Sequence, residues 1–399
     1  MPFDELGLRL NHRQHADPRK RLSSKVGILM TSTTAFFLGA GCSKSFGDLL
    51  TKELLPKALK RLKAGSLFEG IPRKTQERAD QKFLLQQLES LLPGLRPKNN
   101  NGTKSIPFDI TEALSLIDHG LENGHHFLLN ESLEDLRRLR KLLERAVFEV
   151  LWGKGDYSNQ GWKALLKFAA WLKAFQNPDQ SQAVGIITTN YDFAVESGLF
   201  EDYLDAMDDA DEEQVAEAFD FGINWRSPFD ESQIHLRPSR PRWALYKLHG
   251  SVNWLRCPLC EHIYLNVTGH IAFQAFRRTI DDNNTCTCGH APLEAHIVAP
   301  SLVRDIRDSN LLDLWKNAQE LLRRASTWYI IGYSFPSEDL AIRSMFLRAY
   351  HAREKKPNVI VIQHGEDALP RYKLFFPDCV YHTGGLMKYL DKRKTNRVL

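Results

Sequence analysis

A chain of 399 residues has room for a large core and for more than one domain. Its 53 basic and 49 acidic side chains leave a net charge of +4, too small a bias to call for sequence-specific nucleic-acid binding, and no run reaches the roughly 18 apolar residues of a membrane span. Six cysteines, four of them between positions 257 and 288, point to a metal site in a reducing compartment rather than a disulfide framework, with the cytoplasm as the expected location.

Residues 1–25 are polar and basic (Arg9, Arg13, Arg19, Lys20, Arg21, Lys25), lack the apolar stretch of a signal peptide, and read as a basic N-terminal arm. Val26–Leu38 then supplies a turn or helix and an apolar strand that stops abruptly at Gly39-Ala40-Gly41, and Gly47–Lys52 reads as the opening of a helix. A strand, a tight turn and a helix expose backbone N–H groups where the pyrophosphate of a dinucleotide could sit. The run is not a full G-x-G-x-x-G, and glycine often serves a βα turn only by turning it.

Apolar residues at three and four spacing in Leu49–Leu62 and Phe83–Leu92, followed by amphipathic Leu133–Leu151 and Trp162–Phe175, predict a helical insertion over 51–183, broken by a loop at 93–102. Val184–Thr189 is a β-branched run ending in Asn190-Tyr191-Asp192, polar chemistry at the carboxyl end of a buried strand. The segment 201–242, acidic and then proline-bearing, reads as a surface excursion. Ala244–Leu248 is a further strand and delivers His249-Gly250-Ser251.

Cys257-Pro258-Leu259-Cys260 and Cys286-Thr287-Cys288 are two close pairs separated by a β-rich stretch, the spacing of a zinc ribbon spanning 257–296. Four thiolates would make this Zn²⁺ structural, and the C-x-C second pair leaves His290 or His262 as an alternative ligand. Cys42 reads as a small residue packed under a tight turn. Ile297–Ser301, Trp328–Ile331 and Val359–Ile362 are strands, the second running into Gly332-Tyr333-Ser334, and Leu311–Arg324 and Asp339–Arg353 are helices. The alternation predicts an α/β fold: a Rossmann-like parallel sheet over 26–50, 184–256 and 297–399 with helices on both faces, carrying the helical insertion and the zinc ribbon.

Taken in order, Phe36–Ser43, Thr188–Asp192, Lys247–Ser251, the cysteine pairs and Ile330–Asp339 resemble the motifs of the sirtuin-like (silent information regulator) superfamily, and in particular its divergent bacterial antiphage-defence branch. The resemblance covers roughly residues 26–365 in blocks. It implies NAD⁺ as substrate: Gly39, Ala40, Gly41 and Ser43 near the diphosphate, Asn190 at the nicotinamide ribose or its water, Asp192 on the ribose or amide end, His249 as general base, Gly332 and Ser334 bordering the adenosine ribose and phosphates, and Asp339 touching a ribose. Asp192 is also a good helix cap in its own right. The resemblance further implies an NAD⁺ hydrolase giving nicotinamide and ADP-ribose, with NAD-dependent protein-lysine deacylation as the runner-up and an inert nucleotide-sensing scaffold as a third reading. Homo-oligomerisation and a partner ATPase or translocase encoded nearby are expectations by analogy.

Overall fold

Short apolar runs without polar alternation need cover on both faces, and the central strands of this chain are buried that way. The computed structural model describes residues 34–68, 74–95, 108–128, 131–152, 158–176, 183–200, 212–229, 233–267, 269, 271, 275, 285–289, 291–297, 309–337 and 339–395, all within the unit Ser32–Leu399. The strands are β1 (Thr34–Leu38), β2 (Val184–Thr188), β3 (Phe219–Asp220), β4 (Trp225–Arg226), β5 (Ile234–His235), β6 (Trp243–Lys247), β7 (Gly250–Arg256), β8 (Ile263–Leu265), β9 (Glu294–Ile297), β10 (Thr327–Ile331), β11 (Asn358–Ile362) and β12 (Val380–His382). The helices are α1 (Ala40–Lys44), α2 (Thr51–Lys63), α3 (Lys74–Leu91), α4 (Ile110–Glu122), α5 (Leu133–Trp152), α6 (Asn159–Lys173), α7 (Ala194–Phe200), α8 (Glu212–Ala218), α9 (Ser309–Arg324), α10 (Leu340–His351), α11 (Leu369–Phe375) and α12 (Gly385–Thr395).

Seven strands form one sheet in the order β12-β11-β10-β1-β2-β6-β3, and every neighbouring pair is parallel. Parallel neighbours need crossovers, and helices supply them on both faces. The period-two alternation of the strands sorts the faces. Phe36 of β1 stacks on Tyr329 of β10 at 5.2 Å, and the pair meets Trp171 of α6 and Tyr389 of α12. Phe37 and Trp328 point the other way, onto Phe346 of α10.

Five further strands form a second sheet, β5-β4-β8-β7-β9, antiparallel except between β4 and β8. It is joined to the first through Leu248 and His249, the two residues between β6 and β7. Helices α2, α3, α4 and α5 pack on one another, whereas α6 packs on α7, on α12 and on Phe36 of β1. The last helix of the segment read as an insertion thus covers the main sheet.

Three readings change. A single helical turn, α1, begins inside the glycine turn, and the long helix starts at Thr51 instead of Gly47. The stretch taken for a surface excursion contributes β3 to the main sheet, with Phe219 and Phe221 buried. A strand at 297–301 is realised only as β9, which ends at Ile297; 298–301 lie outside the described residues, as do 1–33 with the basic arm.

From β1 the sheet grows one way through β2 and β6, and from β10 it grows the other way through β11 and β12. The order reverses between β1 and β10, and the crevice outside the carboxyl ends at such a switch point is where open α/β sheets bind ligands.

Candidate functional site at the switch point

Three glycines meet there. A Cβ on Gly39 would lie 2.7 Å from Gly332 O, one on Gly41 2.8 Å from Gly332 Cα, and one on Gly332, whose φ is +63°, 2.0 Å from Cys42 N. Only glycine lets the turn after β1 and the turn after β10 touch backbone to backbone. Gly39 N–H donates to Ile331 O at 2.9 Å and Gly41 N–H to Gly332 O at 2.8 Å. The turn that the sequence offers as a bare phosphate cradle therefore uses its glycine amides to clamp β10.

Asn190, after β2, is buried and donates through Nδ2 to Gly39 O at 3.0 Å and to Ser43 Oγ at 2.8 Å. Since the Gly39 carbonyl can only accept, the amide orientation is fixed, and Oδ1 is the acceptor left to face a ligand. Thr188, which the sequence motif contains without a role of its own, sets this geometry: its Oγ1 donates to Leu38 O at 3.2 Å and accepts from Asn190 N at 3.0 Å.

His249, after β6, places Nδ1 3.2 Å from Thr189 O. A carbonyl cannot donate, so Nδ1 carries the hydrogen and Nε2 keeps the basic lone pair of the neutral ring. Tyr191 and Trp315 flank the ring at 6.0 and 6.5 Å between centroids. Gly39, Gly41, Ser43, Asn190, His249 and Gly332 are thus linked in one row across the carboxyl ends of β10, β1, β2 and β6.

Asp192 stands beside this row and does what a capping residue does, its Oδ1 accepting from Ala194 N at 3.0 Å at the head of α7. Lys247 holds the same loop from below: its side chain is 1% exposed, and Nζ donates to Asp192 O at 2.5 Å and to Glu196 Oε1 at 2.6 Å. Burial pushes the Glu196 carboxyl up, and the Lys247 ammonium opposes it. Cys42 is fully buried, and its thiol is pushed well above the ordinary range by burial and then by the Asp192 charge, so it is no reactive thiol.

Beyond Gly332 the loop departs from the row. Ser334 is exposed, while Asp339 is buried and accepts from Tyr333 OH at 2.6 Å. Phe335 has a φ of +55°, costly for an aromatic residue, and is held in it by Tyr372, Phe375 and Phe376 and by Arg343 Nη2, which donates to its carbonyl at 2.8 Å.

The four cysteines at the end of β7 converge, with all Sγ atoms within 4.8 Å of one another; Cys257 lies 3.5 Å from Cys288, and Cys260 the same distance from Cys286. Zn–S bonds of about 2.3 Å in a tetrahedron put sulfurs roughly 3.8 Å apart, so this donor set suits a structural Zn²⁺. Leu259 N–H donates to Cys257 Sγ at 3.4 Å, and Tyr264 OH to Cys286 Sγ at 3.2 Å. Burial acts to raise the Cys286 thiol, yet the Tyr264 hydroxyl and the neighbouring donors bring it down to about 7. His262 sits outside the set, with Nδ1 3.1 Å from Cys260 Sγ, and His290 lies outside the described residues. Glu261, at a φ of +62°, ties the first knuckle to Arg256 at 2.7 Å and to Ser309 of α9 at 2.8 Å.

No family model matches the chain, and no curated protein matches it. Solved structures similar to it include a Sir2–p53 peptide–NAD⁺ complex (13% identity, 92% of this chain and 94% of that chain, TM-score 0.40). A mutant Sir2 homologue in complex with ADP-ribose (13%, 92% and 94%, 0.38) and a structure bearing on the mechanism and regulation of Sir2 enzymes (14%, 94% and 96%, 0.38) are similar as well. At such identities a likeness concerns the fold alone, and the strand order stands without it. Among the described residues no helix is long and apolar enough to cross a membrane.

Proposed function

We propose that this chain is a sirtuin-like NAD⁺ hydrolase that cleaves the bond between nicotinamide and ribose, releasing nicotinamide and ADP-ribose. The observation that carries the reading is the hydrogen-bonded row at the switch point, in which a fixed asparagine carbonyl and a histidine with its basic nitrogen on Nε2 stand on adjacent strands. Its order along the chain is that of the motifs that resemble the superfamily.

The roles follow from the atoms. Asn190 Oδ1 accepts from a ribose hydroxyl or from the attacking water. His249 Nε2 takes the proton of that water as its oxygen bonds the anomeric carbon and the carbon–nitrogen bond breaks toward the pyridine ring, which leaves as neutral nicotinamide. Ser43 Oγ accepts from Asn190, so its own proton is available to the substrate. Because the Gly39 and Gly41 amides bind β10, the diphosphate falls to Ala40, the partly exposed residue at the head of α1. Asp192, Ser334 and Asp339 have supporting places here, the first and last by shaping loops.

The helical block between Gly41 and Asn190 supports an assembled, regulated enzyme more than an open peptide groove. An antiphage-defence role, a cytoplasmic location, homo-oligomers and a partner ATPase belong to this reading by analogy. The Cys257–Cys288 cluster favours the second reading, protein-lysine deacylation, since a structural metal beside the nucleotide fold is what a peptide-binding cleft between two modules would need.

Purified protein incubated with NAD⁺ alone is expected to release nicotinamide, and Asn190→Ala and His249→Ala are each expected to lower the rate at least about a hundredfold. Turnover that appears only when an acetylated peptide is added would transfer the assignment to the deacylase.

A further inference from the structure

A pocket lies away from the switch point, along α12 and the open edge strand β12, with a volume of about 540 Å³. That is within the range of small-molecule sites. It shares no residue with the row at the carboxyl ends of β1, β2, β6 and β10. Its chemistry is of two kinds. Lys388, Lys392 and Arg393 bring three positive charges, while His382 and Tyr389 bring two rings.

Among the described residues no acidic side chain lines the pocket. Asp391 is the one acidic residue of α12, and it is bonded to Lys167 of α6. Lys388 and Lys392 have no ion pair or hydrogen bond among the described residues. Burial holds the His382 imidazole below its ordinary value, and the Lys392 and Arg393 charges push it the same way.

The pocket is also built. Arg393 Nη2 donates to Tyr329 OH at 3.3 Å, and its guanidinium carbon lies 5.3 Å from the centre of the Tyr389 ring. His382 meets that ring edge-on at 4.8 Å. Lys388 folds back over Gly384, where a Cβ would stand 2.6 Å from its Cδ, so the missing side chain makes room for the lysine stem. Two rings and a guanidinium are thereby fixed before any ligand arrives.

We infer that this pocket binds a mononucleotide-type anion, its phosphate drawn to Lys388, Lys392 and Arg393 and its base to the rings of His382 and Tyr389. Cations alone would take any phosphate, and rings alone any flat molecule; the combination selects a ligand carrying both.

Titration calorimetry of the full chain with AMP, adenosine, ribose 5-phosphate and inorganic phosphate reads this directly. AMP is expected to bind at least about tenfold more tightly than each of the other three, and Lys388→Glu with Lys392→Glu to weaken AMP at least about tenfold, while both exposed substitutions leave the circular dichroism spectrum unchanged. Hydrogen–deuterium exchange locates the ligand, with AMP expected to protect residues 380–393. No AMP binding, inorganic phosphate binding as tightly as AMP, or protection confined to 36–46 and 188–192 with affinity intact in the double variant would each overturn the inference. Nicotinamide release, followed separately, reports on the hydrolase, so either assignment can fail without the other.

Discussion

A methyl group at Gly332 would meet Cys42 N at 2.0 Å and would have to adopt a φ of +63°. Gly332→Ala is therefore expected to cost about 3 kcal/mol or more, read as a lower urea midpoint. Lys247 makes a different demand. Removing its charge leaves the Glu196 carboxylate, 2% exposed on its side chain, without a partner, so Lys247→Met is expected to cost about 3–5 kcal/mol. Pairing it with Glu196→Leu should recover most of that loss, because well-packed apolar side chains replace a buried ion pair at little cost. If the pair serves to place Asn190 and Asp192, the doubly substituted chain will be stable and yet slow in NAD⁺ cleavage. His249 and Asn190 were legible in the sequence because each follows an apolar strand. Lys247 was not, since a lysine at the end of a strand looks solvated and its partner, Glu196, lies far along the chain on a short helix.

Among the elements, the entry to α2 couples to the glycine turn through Glu53, whose Oε2 accepts from Leu50 N at 2.7 Å while Lys44 Nζ lies 2.8 Å away. Burial acts to raise this carboxyl, but the Lys44 and Leu50 hydrogen bonds outweigh it and hold it below its ordinary value. A depressed folded value means that the contribution is present above the unfolded carboxylate pKa of about 4.3 and is lost as the pH falls through the folded value. Glu53→Gln is accordingly expected to lower thermal stability at pH 7, with the difference from the parent shrinking below about pH 4. The cysteine knuckles were legible because their spacing is local, and the structure brings together the four sulfurs that the spacing named. β3, β4 and β5 were not, since each is only two residues long and gives periodicity nothing to act on. Buried Phe219, Phe221 and Trp225 carried the signal, behind an acidic run that drew the segment toward solvent.

At the scale of the molecule, β7 runs from Gly250, next to His249, to Arg256, next to Cys257, so one strand connects the four-cysteine cluster to the candidate site. Stripping the metal with a chelator is expected to release one zinc per chain, change the near-ultraviolet circular dichroism and lower NAD⁺ cleavage together. Release of zinc with no spectral change would remove its role as a staple. The parallel sheet was legible from the apolar runs, whereas the strand order was not, because neighbours are chosen by packing across long separations. Thr34 of β1 pairs with Thr327 of β10, far along the chain, and these two strands frame the site. A polypeptide still emerging from the ribosome holds the Gly39–Gly41 turn for most of its synthesis without Gly332 to close it. The candidate site is therefore completed late, only after both halves of the sheet exist, and a half-made copy lacks the second turn that closes it.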